Sequence, residues 1–203
     1  MSALTDLTLK QYLEQLQSGE PVPGGGSASA YVASLAMGLS QMVSRIALAR
    51  KKKAGLSPEE DQKETERRAT IQKVLDSLSK ASDDAFQIVD LDPKVFQEVM
   101  SASGDEVRME DALHNSFRLQ ADLALLIVMG REWNAVLASL VKGSIANDLL
   151  VAASFYESAF HGAYHTAMIN VKYMKSETRK QQAEKALSDL KARYEEGTVH
   201  VGD

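Results

Sequence analysis

Cysteine is absent from the 203-residue chain. Disulfide bonds, thiolate nucleophiles and thiolate metal ligands are therefore excluded, and the composition fits a reducing compartment. Proline is scarce at four residues, and glycine numbers twelve. No alternating run of Val, Ile or Thr stands between turn residues, so strand signals are missing as well. Positive charge is not in excess: 23 Lys and Arg face 28 Asp and Glu, for a net charge of -5. That balance leaves no broad basic surface for nucleic acid. Met1 to Lys10 lacks the basic start and apolar core of a signal peptide, and the expected location is the cytoplasm. Ser27 to Ser44 runs for 18 residues without a charge. It is built from Ala, Ser and Gly with few large apolar side chains, so it inserts weakly into a bilayer. A buried helix of a soluble protein is expected there, with no membrane partner.

What remains is helical. Thr8-Leu9-Lys10-Gln11 has a capping-box pattern, with Leu7 and Tyr12 as hydrophobic staple and Gly19 as stop. Pro21-Val22-Pro23-Gly24-Gly25-Gly26-Ser27 then leads into the uncharged helix. Its prolines hold the approach extended, and its glycines permit backbone angles that other residues resist. Along the helix, Ala30, Ser34 and Gly38 form one row at spacing four, and Ala36, Ser40 and Ser44 form another. Such rows suit a close helix–helix or subunit contact. Arg50 to Lys53 ends the helix with cations. Ser57-Pro58-Glu59-Glu60 opens the next one, and Asp92-Pro93 is expected to break or restart it. After Gly104 a long helix is expected from about Glu106 to Val141, ended by Gly143. Another covers roughly Asn147 to Lys175, and a polar amphipathic helix lies at about 177–196, with a loose tail after Gly197. The fold class is all-α, a bundle of long helices over a single domain, 1–203, with the polar helix as its C-terminal appendage.

Three ordered segments resemble the cyclodeaminase/cyclohydrolase family. The first is Leu9-Lys10-Gln11-Tyr12-Leu13 with the loop Pro23-Gly24-Gly25-Gly26-Ser27, the small-residue helix and Arg50 to Lys53. The second is Val89-Asp90-Leu91-Asp92-Pro93-Lys94-Val95-Phe96 with Val99 and Met100. The third is Ala146-Asn147-Asp148 followed by Ile169-Asn170-Val171. The chain departs from the family pattern by lacking a proline near Gln120, and by Ser144, Asn147 and Thr166 where Asn, Ser and Asn are usual.

The resemblance implies a homodimer that acts on a one-carbon derivative of tetrahydrofolate without metal or redox cofactor. Methenyltetrahydrofolate cyclohydrolase is the leading expectation, helped by the free-standing length. Formiminotetrahydrofolate cyclodeaminase is the alternative, and a non-catalytic folate-binding or helical interaction protein is the alternative of another class. Both reactions pass through a tetrahedral carbon flanked by nitrogen, and one carboxylate near it can balance charge and shuttle a proton. Asp148 is expected in that catalytic role, although by itself a helix-start acid only complements the helix dipole. Pro23, Gly24, Gly25, Gly26, Ser27, Asp90, Asp92, Lys142 and Asn170 are the expected substrate contacts. The glycine loop presents backbone N–H groups at a helix start. Asp90 and Asp92 offer paired acceptors to a pterin amidine edge, or Asp92 caps the helix opened by Pro93. Arg50 to Lys53 are either a solvated helix end or an attractor for the polyglutamate tail. Glu157, His161 and His165 share a helix face at a spacing that metal ligands use, but no second helix offers comparable residues and no metal is expected.

Overall fold

A computed structural model describes residues 3–196. The described residues form a 3-10 turn at Leu4–Asp6 and six α-helices: α1 Leu9–Leu16, α2 Gly25–Ala49, α3 Pro58–Ser101, α4 Glu106–Leu140, α5 Asn147–Tyr173 and α6 Glu177–Glu196, with a second 3-10 turn, Ser144–Ala146, leading into α5. The described residues contain no strand. The tail expected after Gly197 lies outside the described residues.

Local chemistry starts the helices where the sequence predicts. The Thr8 hydroxyl accepts from Gln11 N at 3.3 Å, and Gln11 Oε1 accepts from Thr8 N at 2.9 Å. Ser57 and Glu60 repeat the box at 3.3 and 2.8 Å, with Pro58 in the first turn, where no N–H is needed. At the other ends, arginines take over the orphan carbonyls. Arg68 donates to the carbonyls of Leu48 (2.7 Å) and Arg50, Arg67 to Leu140 (3.1 Å), and Arg50 to Lys142 (3.2 Å). Glu64 holds both Arg67 and Arg68 at 2.7 to 3.0 Å, and the Arg67 hydrogen bond leads in drawing its carboxyl down to about 2. This clamp ties α3 to the C-terminal ends of α2 and α4.

The uncharged helix α2 lies at the centre, packed on α3 and α5, while α4 spans α3 and α5 on the far side. Ala36, Ser40 and Ser44 are buried in this contact, together with Ala30, Ala33 and Met37. The Ser40 hydroxyl bonds Asn134 Oδ1 at 2.9 Å, and Asn134 Nδ2 donates to the Leu149 carbonyl at 2.9 Å. α2 and α5 run antiparallel and approach closely: a Cβ at Gly162 would stand 2.1 Å from Ser29 Oγ. The other small row behaves differently. Ala30 is buried and Ser34 half-buried, but Gly38 is exposed with nothing within 4 Å of where its Cβ would be. Around it Leu35, Met42 and Ile46 keep 45, 39 and 38% of their surface exposed. One face of α2 is thus core and the opposite face is open. α6 folds back on α4 and α5, where Tyr194 stacks on Phe160 at 3.9 Å with Arg131 over its other face at 4.2 Å.

One sequence expectation fails. Asp92-Pro93 neither breaks nor restarts a helix, because α3 runs unbroken from Pro58 to Ser101 with Pro93 inside it. A proline there removes the donor that would have served the Val89 carbonyl. The Ser27 hydroxyl from α2 donates to that carbonyl at 2.9 Å instead. Tertiary structure supplies the bond that the helix lost.

Candidate functional site

The repair of α3 fixes the site. The loop Pro21 to Gly24, with a cis Val22–Pro23 bond, delivers Gly25, Gly26 and Ser27 into the first turn of α2, against α3 and α4. The Ser27 N–H donates to Asp92 Oδ2 at 2.9 Å, and Gln120 Nε2 donates to Asp92 Oδ1 at 2.7 Å. Gly26 sits where no side chain fits. A Cβ there would lie 2.1 Å from Asp92 Oδ1 and 2.3 Å from Gln120 Nε2. The Tyr12 hydroxyl closes the cluster 3.1 Å from Ser27 Oγ, and its ring stacks on Tyr31 at 5.2 Å. Five elements of the chain therefore meet within a few ångströms: α1, the loop, α2, α3 and α4.

The electrostatics of this cluster are unusual. Asp92 is only 8% exposed. Its two hydrogen-bond donors are neutral, and among the described residues no cation pairs with it. Burial pushes its carboxyl above the ordinary range, opposed by the Ser27 and Gln120 hydrogen bonds. Burial likewise raises the Tyr12 phenol. Gln120 is fully buried, and among the described residues its Oε1 has no hydrogen-bond partner. A dry carboxylate with neutral donors and no counter-ion is half of an ion pair. It can accept a cationic group or hold a proton.

The expected site residues divide into two groups. Pro23, Gly24, Gly25, Gly26, Ser27, Asp92 and Asn170 gather at one end of the bundle. Gly25 faces Thr166 there, with its would-be Cβ 3.8 Å from Thr166 Oγ1, and Asn170 donates to the Thr166 carbonyl one turn further on. Asp92 caps no helix opened by Pro93, since α3 is continuous there; its carboxylate instead accepts from the Ser27 N–H in the first turn of α2. Asp90 is on the same helix but turned to the chain's beginning, where its carboxylate accepts from Leu4 N, Thr5 N and Thr5 Oγ1. It borders a cleft of about 570 Å³ also lined by Val22, Pro23, Pro93 and Lys94. Asp148 and Lys142 are elsewhere. Asp148 lies in the first turn of α5, half-buried, and Lys142 is exposed with its carbonyl held by Arg50. From Asp148 to Thr166 is 18 residues of continuous helix, about 27 Å at ~1.5 Å per residue. Within one chain the expected catalytic carboxylate and the glycine loop occupy opposite ends.

Gln120 and Tyr12 join the site without having been expected in it. For Gln120 the signal was available: it is an amide set among the apolar residues Phe117, Leu123 and Ala124 on the buried face of α4. Of the departures, Thr166 takes part only by its position, its hydroxyl bonding the Gly162 carbonyl at 2.9 Å. Ser144 and Asn147 lie exposed at the far end. The rings of His161 and His165 are exposed and 6.4 Å apart, His161 edge-on to Tyr194. Among the described residues no three side chains cluster as metal ligands.

A family profile described as formiminotransferase-cyclodeaminase matches residues 8–189. The chain is 26% identical over 199 residues to the formimidoyltransferase-cyclodeaminase of Rattus norvegicus, covering 93% of this chain and 35% of that protein. It is 27% identical over 192 residues to that of Gallus gallus, covering 88% and 33%. The chain thus spans about a third of the length of these relatives. Among solved structures, formiminotetrahydrofolate cyclodeaminase from Thermotoga maritima superposes with a TM-score of 0.83 at 22% identity, covering 95% of this chain and 92% of that one.

Proposed function

The chain belongs to the formiminotransferase-cyclodeaminase family, and from that membership we propose that it is an enzyme of folate one-carbon metabolism that works on an amidinium carbon. The relatives' names favour 5-formiminotetrahydrofolate as substrate. In that reaction N10 attacks the formimino carbon, a proton passes from N10 to the exocyclic nitrogen, ammonia leaves, and the methenyl cation remains. The free-standing length that favoured hydrolysis no longer discriminates, since the Thermotoga maritima cyclodeaminase has nearly the same extent. Hydrolysis of the methenyl cation to 10-formyltetrahydrofolate stays as the second reading. Its substrate is the product of the first reaction and carries the same delocalised charge.

The observation that carries this reading is the uncompensated Asp92 carboxylate at the glycine loop. Both substrates place positive charge on a planar N–C–N unit, which a carboxylate stabilises best where water is excluded. Asp92 balances that charge and takes the N10 proton. Gly24 and Gly25 hold the neighbouring ring by their backbone, and the cleft beside Pro23 and Lys94 receives the rest of the folate, its acidic tail toward the Lys94 amine. The chemistry is acid–base catalysis and asks for neither metal nor redox group.

Asp148 and Lys142 enter such a site only from a second subunit. The open face of α2, Leu35, Gly38, Met42 and Ile46, is the surface for that pairing in a homodimer. Gly25 stands 13 residues from Gly38, and Ala49, the last residue of α2, stands 11 on the other side, about 20 and 17 Å along the helix. Antiparallel contact of two α2 helices centred on Gly38 therefore lays the glycine loop of one chain beside the end of α2 in the other. The partner subunit's Asp148 and the partner subunit's Lys142 belong to that end.

The test supplies each substrate separately. With 5-formiminotetrahydrofolate, ammonia release and growth of methenyl absorbance are expected together. Loss of methenyl absorbance above the spontaneous rate supports hydrolysis. Tight binding of both compounds with neither change makes the chain a folate-binding protein.

A further inference from the structure

The orphan acceptor beside Asp92 has a use that the site's expected residues do not explain. Gln120 is sealed in the interior. Its Nε2 serves Asp92 Oδ1 at 2.7 Å, and its Oε1 serves nothing among the described residues. Gly26 lies against both groups with no room for a side chain of its own, and Ser27 N holds the other carboxylate oxygen. A side-chain amide turned over about its last bond exchanges N for O at nearly the same positions. Facing an ionised Oδ1, Oε1 repels and Nε2 attracts. Facing a protonated Oδ1, Oε1 becomes the acceptor the new O–H needs. Either orientation leaves one amide atom without a partner, so the exchange sacrifices no hydrogen bond.

We propose that Gln120 is a positioning residue that stabilises both protonation states of Asp92, donating to the carboxylate and, after its amide turns over, accepting from the carboxylic acid. The proton that Asp92 takes from N10 is then held as Asp92 Oδ1–H to Gln120 Oε1 until it passes to the departing nitrogen. No bond other than O–H and N–H is made or broken at these two side chains. Charged and titratable groups around the pair are few. Tyr12 approaches from α1, its phenol bonded to Ser27. From α2 and α4 the groups in contact, Gly26, Ser27 and Gln120, are neutral. On α3 itself Asp90 is turned to Leu4 and Thr5, and Lys94 faces the outer cleft. Among the described residues, the two-sided amide therefore acts on Asp92 without a competing charge at hydrogen-bond distance.

The source of the proton rests on the folate reading; the exchange of the amide does not, and it is read without substrate. The readout is the midpoint of the Asp92 carboxylic-acid band in infrared pH titration, identified by its loss in Asp92→Asn. Gln120→Met fills the same space with neither donor nor acceptor. A two-sided amide loses one bond in each protonation state, so the Asp92 midpoint in Gln120→Met stays at the wild-type value. A fixed donor stabilises only the carboxylate, and its loss raises the midpoint by about one pH unit, which overturns the proposal. Gln120→Asn, too short to reach Oδ1, carries the same comparison if the methionine variant does not fold. An unmoved midpoint in a protein with no folate turnover leaves the amide exchange standing and removes the proposed reaction.

Discussion

The Ser27 hydroxyl donates at 2.9 Å to the carbonyl of Val89, the one acceptor that Pro93 leaves without its helical N–H. This bond satisfies the carbonyl that Pro93 orphans inside α3, and the same serine lies in the first turn of α2, so the helix repair and the site share one residue.

A double-mutant cycle tests that arrangement. Ser27→Ala strands the buried Val89 carbonyl and frees the Tyr12 hydroxyl, at an expected loss of ~1–3 kcal/mol. Pro93→Ala supplies a backbone N–H to the same carbonyl. In the Pro93→Ala background the Ser27→Ala loss therefore shrinks, with a coupling of ~0.5–3 kcal/mol. Urea unfolding of the four proteins measures it. Strict additivity means that the hydroxyl does not replace the missing bond.

Two neighbouring glycines should respond oppositely. A Cβ at Gly26 overlaps Asp92 and Gln120, whereas one at Gly25 meets only Thr166 Oγ1 at an ordinary 3.8 Å. Gly26→Ala is expected to cost ~1–3 kcal/mol by overpacking and to abolish turnover by pushing Asp92 and Gln120 apart. Gly25→Ala should leave stability within ~0.5 kcal/mol, while weakening folate binding by crowding the exposed turn. Thermal melts and calorimetric titration with folate separate the two. Equal melting temperatures for both variants contradict the close packing at Gly26.

Asp92 also sets a pH dependence with a definite sign. Its folded carboxyl titrates above the unfolded one because it is buried. Between the two midpoints the unfolded chain has already lost the proton that the folded chain keeps, so stability falls as pH rises through this window. Glu64 works in the opposite direction: lowered to about 2 by Arg67 and Arg68, it removes stability as pH falls below the ordinary Glu range. The difference between wild type and Asp92→Asn isolates the first effect. The variant should gain stability relative to wild type as pH rises above the ordinary Asp range, measured by denaturant unfolding at several pH values. A constant difference across those pH values removes the burial argument.

How far the sequence could be read follows from how local each determinant is. Thr8, Ser57, Pro58 and Gly143 act within one helical turn, so caps and stops were legible, and the glycine loop announced the start of α2. Pro93 misled because its rescue comes from Ser27, 66 residues earlier, and no local pattern carries that information. Gln120 read as a departure from the family, yet it is the partner of Asp92. Asp148 stood beside a glycine turn at a helix start, as expected, but distance along α5 separates it from the loop, and helical periodicity says nothing about which helix ends meet. The small row of Ala30, Ser34 and Gly38 was visible in the sequence, while the exposure of its last member, Gly38, emerged only from the packing of α2.

Asp148 and Asp92 together decide whether the site is shared between subunits. Within one chain they lie at opposite ends of the bundle, Asp92 beside the glycine loop and Asp148 in the first turn of α5, about 27 Å by helix rise from the Thr166 that faces that loop, yet both are carboxylates suited to moving a proton. If two α2 helices pair antiparallel about Gly38, each site draws Asp92 from one chain and Asp148 from the other. Asp92→Asn and Asp148→Asn should then each lower turnover by ~10²-fold or more, with the Asp148 variant keeping its folate affinity. Mixing the two inactive proteins by dissociation and reassociation makes half the dimers mixed, and each mixed dimer has one site with both carboxylates and one with neither. Recovered activity of about a quarter of wild type is expected for such a two-fold assembly. A site built within one chain recovers nothing on mixing, because every site still lacks one carboxylate. Full activity of Asp148→Asn alone, with Asp92→Asn inactive, assigns the chemistry to the glycine-loop cluster and leaves Asp148 as a helix-start acid. Gly38→Leu provides the control on the interface: it fills an exposed surface position without touching either carboxylate, so it should lower turnover only by shifting the protein toward monomer in light scattering.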